Sequence, residues 1–350
     1  MPTKTNSGNF FEDFSIGQEL RHATPRTVTE GDIALYTALY GGRFAVQSSE
    51  AFAMSVGYPK QPVDDLLAFH VAFGKTVSDV SLNAVANLGY AEGVFGKPVY
   101  AGDTISTISE VIGLKQNSNG KTGVVYVRSV ATNQRGEMVV DYKRWVMVNK
   151  RDAEAPAPEA VVPKFDEAIS SDEIPVPEGL TFNDYNFDLA GSSDIWGDYE
   201  VGEKINHVDG MTIEEAEHMM ATRLYQNTAK VHFNQFAQSK GRFGHRLIYG
   251  GHVISIARAL SFNGLANAFH IAAINGGSHT NPIFAGDTVY AWSEILDKAP
   301  CPGRDDLGAL RVRTVATKDC PPEDFPFKDD AGKYVPEVVL DFDYWVLMPR

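Results

Sequence analysis

The side chains able to move a proton near neutral pH are concentrated late in the chain, where seven of the nine histidines lie beyond residue 200. An imidazole with an unperturbed pKa of about 6.5 can both take and return a proton under those conditions. His232 closes the stretch Gln226-Asn227-Thr228-Ala229-Lys230-Val231-His232, and His252 follows Gly250-Gly251 at the start of an apolar run. A helix starting there presents unpaired N–H groups, and Gly251 would let an anionic oxygen approach one closely, although a glycine chosen for a tight turn reads the same way. His252 could help hold an anion there or serve only to pack the helix. Asp64-Asp65 opens a similar apolar run in the first half. Adjacent carboxylates at a helix start interact favourably with its dipole yet are costly to desolvate, so they read as an N-cap or as a second acid. Cations for a negatively charged ligand are available in Arg43, Lys230 and the cluster Lys240, Arg242 and Arg246, with Arg242 and Arg246 the leading candidates. His70, among Phe69, Val71 and Phe73, reads as a core residue, and His279 in Gly276-Gly277-Ser278-His279 as a loop residue. No two histidines stand at metal-ligand spacing beside an acid on one helix face, so no metal site is expected.

Two copies of one module must position these groups. Pro98-Val99-Tyr100-Ala101-Gly102-Asp103-Thr104 recurs as Pro282-Ile283-Phe284-Ala285-Gly286-Asp287-Thr288, an offset of 184. Val127-Arg128-Ser129-Val130-Ala131-Thr132 likewise pairs with Val312-Arg313-Thr314-Val315-Ala316-Thr317, and Asp141-Tyr142 with Trp145 pairs with Asp341-Phe342 with Trp345. Two long copies mean duplicated domains rather than a solenoid, with expected bounds of 10–150 and 181–350. Residues 151–180 hold five prolines and eight acidic residues against two basic ones, and read as an extended solvated linker. Thr29 with Asp32, and Thr212 with Glu215, each predict a capping box opening a helix. Longer helices around Leu66–Val80 and Val253–Leu260 carry apolar residues on most faces, which suits burial on all sides. Strands alternate, as in Leu310, Val312, Thr314 and Ala316 against Arg311 and Arg313. The expected fold class is therefore α+β, a double hot-dog in which each module wraps a curved antiparallel sheet around one buried helix.

From Phe10-Phe11-Glu12-Asp13-Phe14 to Tyr344-Trp345-Val346, the chain resembles the mesaconyl-CoA hydratase family of the MaoC-like dehydratase superfamily. The runs Asp64-Asp65-Leu66-Leu67-Ala68-Phe69-His70 and Leu82-Asn83-Ala84-Val85-Ala86-Asn87-Leu88-Gly89-Tyr90 carry that likeness. Hydratases of the superfamily show Gly-Asp-x-Asn-Pro-x-His after the first helix and a His-Gly pair about one helix-length later. His232 falls on the family histidine, whereas Asn227 replaces its aspartate and Ala229 its asparagine. In the first module Gln47 stands for the histidine, Gly42 for the aspartate and Asp64-Asp65 for the His-Gly pair, so the resemblance puts catalysis in the second module. It implies reversible hydration of mesaconyl-CoA to β-methylmalyl-CoA in the ethylmalonyl-CoA pathway, with no cofactor beyond the CoA carried by the acyl-CoA substrate. Hydrating an enoyl thioester takes a base for the water, an acid for the α-carbon and donors for the enolate oxygen. His232 suits the first two tasks, Asn227 can orient water but not ionise, Asp64 or Asp65 could replace the missing carboxylate, and Gly251 could offer the N–H. The substrate's own carboxylate calls for a fixed cation. The fold alone leaves open a linear-chain enoyl-CoA hydratase, a thioesterase and a non-catalytic acyl-CoA binding module.

Composition narrows the remaining classes. At 350 residues and 43% apolar, the chain can fill two cores, and its net charge of −14 argues against nucleic acid or an anionic membrane as partner. Cys301 and Cys320 lack CxxC spacing and read as reduced thiols, with a disulfide between them left open. No export signal and no apolar run of spanning length occurs, so a soluble cytoplasmic protein is expected. Sheet edges of this kind are commonly hidden by pairing, which predicts a homo-oligomer.

Overall fold

The computed structural model describes residues 4–350. Its first half contributes strands β1 (Glu19–Thr27), β2 (Ala84–Phe95), β3 (Thr104–Gln116), β4 (Thr122–Thr132) and β5 (Met138–Asn149). The second contributes β6 (Lys204–Thr212), β7 (His270–His279), β8 (Thr288–Pro300), β9 (Leu307–Lys318) and β10 (Val338–Pro349). All ten join one antiparallel sheet in the order β1-β3-β4-β5-β2-β7-β10-β9-β8-β6. Each half curls around a buried helix, Asp65–Thr76 against β1, β3 and β5, and Gly250–Leu260 against β6, β8, β9 and β10. This is the double hot-dog arrangement that the duplication predicts.

Alternation sets which residues face the helices. In β5, Val140, Tyr142, Arg144, Val146 and Val148 alternate inward, with Val139 also buried. In β10 the outward Asp341 and Asp343 meet Arg313 and Arg311 of β9 at 3.3 and 2.7 Å, tying strand to strand across the polar face. The first buried helix begins on Asp64, whose Oδ1 accepts from Leu66 N at 2.9 Å, and passes at Thr76 into a π turn over Val77–Ser81.

The Thr29–Asp32 capping box forms as expected, each side chain bonded to the other residue's backbone. Its counterpart at Thr212 and Glu215 does not. Strand β6 extends through Thr212, whose hydroxyl bonds that of Thr288 at 2.8 Å, so the helix Glu215–Leu224 starts from Glu214 without a side-chain cap. The acidic segment 151–180 also departs from a solvated linker. Ile169, Ile174 and Leu180 are buried against the second half, and Trp345 Nε1 donates to Ile169 O at 3.1 Å. Burial is confined to the later part of the segment, where these side chains pack inward, while Val161 and Val162 stay exposed. Cys301 and Cys320 are free thiols, and among the described residues no helix is long and apolar enough to cross a membrane.

The halves meet along β2 and β7, where Tyr90 pairs with Gly277, Ala91 with Gly276, Gly93 with Ile274 and Val94 with Ala273. A second tie lies at the start of the first buried helix, where Asp65 Oδ2 accepts from Ile271 N at 2.8 Å and Oδ1 meets His270 Nδ1 at 2.9 Å. Near the end of that helix, a Cβ at Gly74 would sit 1.7 Å from Tyr225 O, so only glycine lets the helix lie against the second half here. Replacing Asp65 by alanine orphans the Ile271 N–H and a ring nitrogen of His270. That loss should lower stability by about 1–3 kcal/mol. It would be read as a lower urea midpoint, and an unchanged midpoint would refute a structural role for Asp65.

Candidate active site

A cavity of about 350 Å³ opens where the two buried helices approach the β2–β7 seam. Its wall includes Phe73, Tyr90 and Arg144 from the first half and Asn227, His232, Tyr249, Gly250 and His279 from the second. His232 rides on the short helix Lys230–Phe233 and donates from Nδ1 to Leu247 O at 2.9 Å. That bond fixes the tautomer and leaves Nε2 as an acceptor for the cavity. Burial pushes the His232 pKa down to about 4, so at neutral pH the ring is a free base. Asn227, also buried, accepts from Ala229 N through Oδ1 at 3.2 Å, which shapes the turn before His232 and leaves its Nδ2 donor for the cavity.

A second imidazole stands nearby. His279 lies on β7 rather than in a loop, and its Nε2 is hydrogen-bonded to the Tyr90 hydroxyl at 3.2 Å. Burial, and then the neighbouring His232, push its pKa down to about 4. A Cβ on Gly250 would fall 2.2 Å from His279 Cε1, so the ring packs against bare backbone at the start of the second buried helix. That helix has no side-chain cap; His252 N donates to Tyr249 O at 2.9 Å, which leaves the N–H groups of Gly250 and Gly251 for an outside acceptor. Gly250 lines the cavity and Gly251 does not. Gly251 faces Tyr249 and His70, to which a Cβ there would come within 2.4 and 2.5 Å, so the candidate oxyanion donor shifts by one residue.

Among the described residues no aspartate or glutamate lines this cavity. Asp65 is held by Ile271 and His270, and Asp64 borders a separate cavity of about 30 Å³ beside Tyr36 and Gln47. Burial, and then the adjacent Asp65, push the Asp64 pKa up to about 6. Both residues cap and fasten the first buried helix instead of reaching His232. The basic candidates are also elsewhere. Arg246 pairs with Glu215 at 2.6 Å, Arg242 lies over the Phe243 ring at 5.1 Å, Arg43 over Phe262 at 4.6 Å, and Lys230 is exposed. His252 is buried with Nδ1 on the Tyr40 hydroxyl at 2.8 Å, away from the cavity wall. His70, as expected, is a satisfied core residue, with Nε2 on Ser255 Oγ at 3.0 Å.

Among the described residues the single charged side chain in the wall is Arg144. It is fully buried; Nη2 donates to Thr76 Oγ1 at 2.7 Å, and its carbon centre lies 4.2 Å above the Phe73 ring. The candidates read from motifs omitted it, along with His279, Tyr90, Tyr249 and Gly250. For Arg144 the signal was present in the period-two pattern of β5, which places a cation on the inward face between Tyr142 and Val146. Among the described residues no three histidine, cysteine or carboxylate groups converge as metal ligands.

Comparison with known proteins places this geometry in a family. The mesaconyl-CoA hydratase family profile matches residues 2–322. A β-methylmalyl-CoA dehydratase from Chloroflexus aurantiacus is 66% identical over 100% of this chain and 99% of its own, and a mesaconyl-CoA hydratase from Cereibacter sphaeroides 59% identical over 99% and 100%. A crystal structure of a MaoC-domain dehydratase from Chloroflexus aurantiacus superposes with a TM-score of 0.98 at 66% identity, covering 100% of this chain and 99% of that one. A Mycobacterium tuberculosis protein with a double hotdog fold, at 24% identity and a TM-score of 0.76 over 98% and 99%, shares the fold.

The buried histidines make stability depend on pH in a definite sense. Burial is the largest cause of depressed pKa values at His218 (about 2), His70 and His252 (about 3), and His207, His232 and His279 (about 4). Below about pH 6.5 the unfolded chain binds protons that the folded chain refuses, so stability is full above that value and is lost as pH falls towards 4. The thermal unfolding temperature should therefore hold from pH 8 to 7 and drop progressively between pH 6.5 and 4.5. A flat profile over the latter range would show that these rings are solvated.

Proposed function

Because the chain belongs to the mesaconyl-CoA hydratase family, we propose that it is a hydro-lyase catalysing the reversible hydration of mesaconyl-CoA to β-methylmalyl-CoA. The observation that carries this reading is His232: a neutral imidazole, locked by Leu247 O through Nδ1, with Nε2 free in a cavity whose described lining holds no carboxylate. In the forward direction Nε2 takes a proton from water as the oxygen bonds to the β-carbon. The displaced electron pair moves through the α-carbon to the thioester oxygen, forming an enolate. The Gly250 N–H, at an uncapped helix start on the cavity wall, would donate to that oxygen. Collapse of the enolate with protonation of the α-carbon completes addition of one water. The proton returns from the imidazolium of His232 or through His279, whose bond to Tyr90 sets its orientation.

Asn227 takes the position of a family aspartate without its charge. Its Nδ2 can donate to the water oxygen and hold it towards the β-carbon, while proton uptake falls to His232 alone. A pKa near 4 in the empty cavity does not oppose this role, because bound substrate and the developing enolate bring negative charge that favours the imidazolium. Cytoplasmic location and a place in the ethylmalonyl-CoA pathway belong to the same proposal. So does association into a homo-oligomer, for which β1 and β6, the outer strands of the sheet, offer unpaired edges.

The test is purified enzyme with mesaconyl-CoA, followed by loss of enoyl-thioester absorbance and a product mass greater by one water. His232→Ala should lower kcat by about 10²–10⁴-fold, with binding of a saturated acyl-CoA little changed. Turnover at the parent rate would remove His232 from the mechanism, and release of free CoA by the parent enzyme would replace hydration with thioester hydrolysis.

A further inference from the structure

The wall of the cavity contains a cation with no anion to match it. Arg144 is fully buried, yet every partner it has is neutral: Thr76 Oγ1 at 2.7 Å, Ser81 Oγ at 3.4 Å and Asn87 Oδ1 at 3.4 Å. Its Nε has no partner at all. Buried charges are ordinarily paired, because desolvating one without a counter-ion is costly. Arg311, on the outer face of β9, is by contrast matched by Asp343 at 2.7 Å.

The fold itself does not call for a cation at this point. In the second module the position matching Arg144, one residue before the repeated tryptophan, is Tyr344, whose hydroxyl bonds Thr314 Oγ1 at 2.9 Å inside an ordinary core. The neutral partners and the Phe73 face, 4.2 Å from the guanidinium carbon, fix the plane of Arg144 without cancelling its charge. The sheet register then carries it to the histidines. Arg144 pairs with Tyr90 across β5 and β2, and the Tyr90 hydroxyl reaches His279 Nε2 at 3.2 Å.

We propose that Arg144, supplied by the module lacking the histidine, receives the carboxylate at the far end of the acyl group, so that the site selects thioesters of unsaturated dicarboxylic acids over neutral enoyl thioesters. The proposal rests on the hydratase reading above and names its specificity determinant. A guanidinium edge can hold a carboxylate through two parallel bonds. With the thioester oxygen at Gly250 and the carboxylate at Arg144, the double bond is held between the two ends, beside His232. The cation has an electronic effect as well. A carboxylate on the carbon under attack repels an incoming oxygen nucleophile, and a buried positive charge beside it offsets that repulsion.

The experiment compares the parent enzyme, Arg144→Gln and Arg144→Lys on mesaconyl-CoA and on 2-methylcrotonyl-CoA, in which a methyl group replaces the carboxylate. The parent should prefer mesaconyl-CoA. Arg144→Gln should lower kcat/KM for mesaconyl-CoA by about 10²–10³-fold while leaving the neutral thioester nearly unchanged, so the preference collapses. Arg144→Lys, which keeps charge without the fork, should fall between them; it decides the matter by the same ratio if the glutamine variant does not fold. In the unliganded state Arg144→Gln should unfold at the parent temperature or above it, since an unpaired buried charge has gone. Equal losses on both thioesters with a lowered unfolding temperature would make Arg144 structural and overturn the proposal. So would an unchanged preference in both variants. A parent enzyme inactive on mesaconyl-CoA would instead overturn the hydratase reading.

Discussion

The pairing of β2 with β7 is the constraint on which the site depends. Four residue pairs join the two curled half-sheets into one, and the join brings Tyr90 of the first half to His279 of the second. Neither half could enclose the cavity alone, because its wall draws Phe73, Tyr90 and Arg144 from one side and Asn227, His232 and Gly250 from the other. Backbone pairing fixes relative position to a fraction of a residue spacing, and a slip of one position would turn every side chain of the strand to the opposite face. The bare backbone at Gly74, pressed on Tyr225 O, and the bonds from Asp65 to β7 hold the same alignment from the helix side. Precision at the histidines is thus inherited from the seam.

Beneath the cavity the buried histidines sit in hydrogen bonds that neutral rings satisfy. His218 Nε2 accepts the Tyr249 N–H at 2.9 Å, which requires that nitrogen to be unprotonated. His207 donates from Nδ1 to Asn263 O at 2.7 Å and is left to accept the Ser293 hydroxyl on Nε2 at 2.8 Å. His70 meets Ser255, which also takes the Tyr36 hydroxyl at 2.9 Å, and His252 meets Tyr40, which shares a bond of 2.7 Å with Tyr225. Buried networks of this kind are rigid when every member is satisfied and costly when one is not. Their product is a fixed Tyr249–Gly250 turn at the mouth of an uncapped helix, next to two imidazoles that stay neutral. Against that neutral background the charge of Arg144 sets the sign of the whole cavity.

Much of this was legible before any coordinates. The repeat at an offset of 184 gives two modules, and in each an all-round apolar helix beside alternating strands calls for a sheet that covers the helix. His232 was legible through its family position. Capping at Thr212 was misjudged because a local motif was read without the strand that claims it: the Thr212–Thr288 bond belongs to the sheet. The basic cluster from Lys240 to Arg246 was favoured for its density, yet density along the chain says nothing about facing, and the turns that carry it point it to solvent or to Glu215. His279 was taken for a loop residue since two glycines precede it, whereas those glycines pair with Tyr90 and Ala91 at the seam. The last two misreadings share a cause. Each concerns where separate strands and turns come together, which local pattern does not encode.

The duplication explains how a cation came to face a histidine. In the first module the residue replacing the histidine, Gln47, now donates from Nε2 to Phe269 O at 2.7 Å, fastening the modules beside β7. The cavity left there, about 30 Å³, is the size of one water and admits no acyl group. With that copy closed, its strands were free of the demands of catalysis but still formed half of the neighbouring cavity's wall. An inward position on β5 could then change from a residue like Tyr344 to Arg144 without disturbing any proton-transfer group of its own module. Only β2 separates β5 from β7, so a charge placed there enters the partner cavity directly through Tyr90. Under the proposed reading, the copy without the histidine supplies recognition to the copy that keeps it, and the strand order makes that contribution direct.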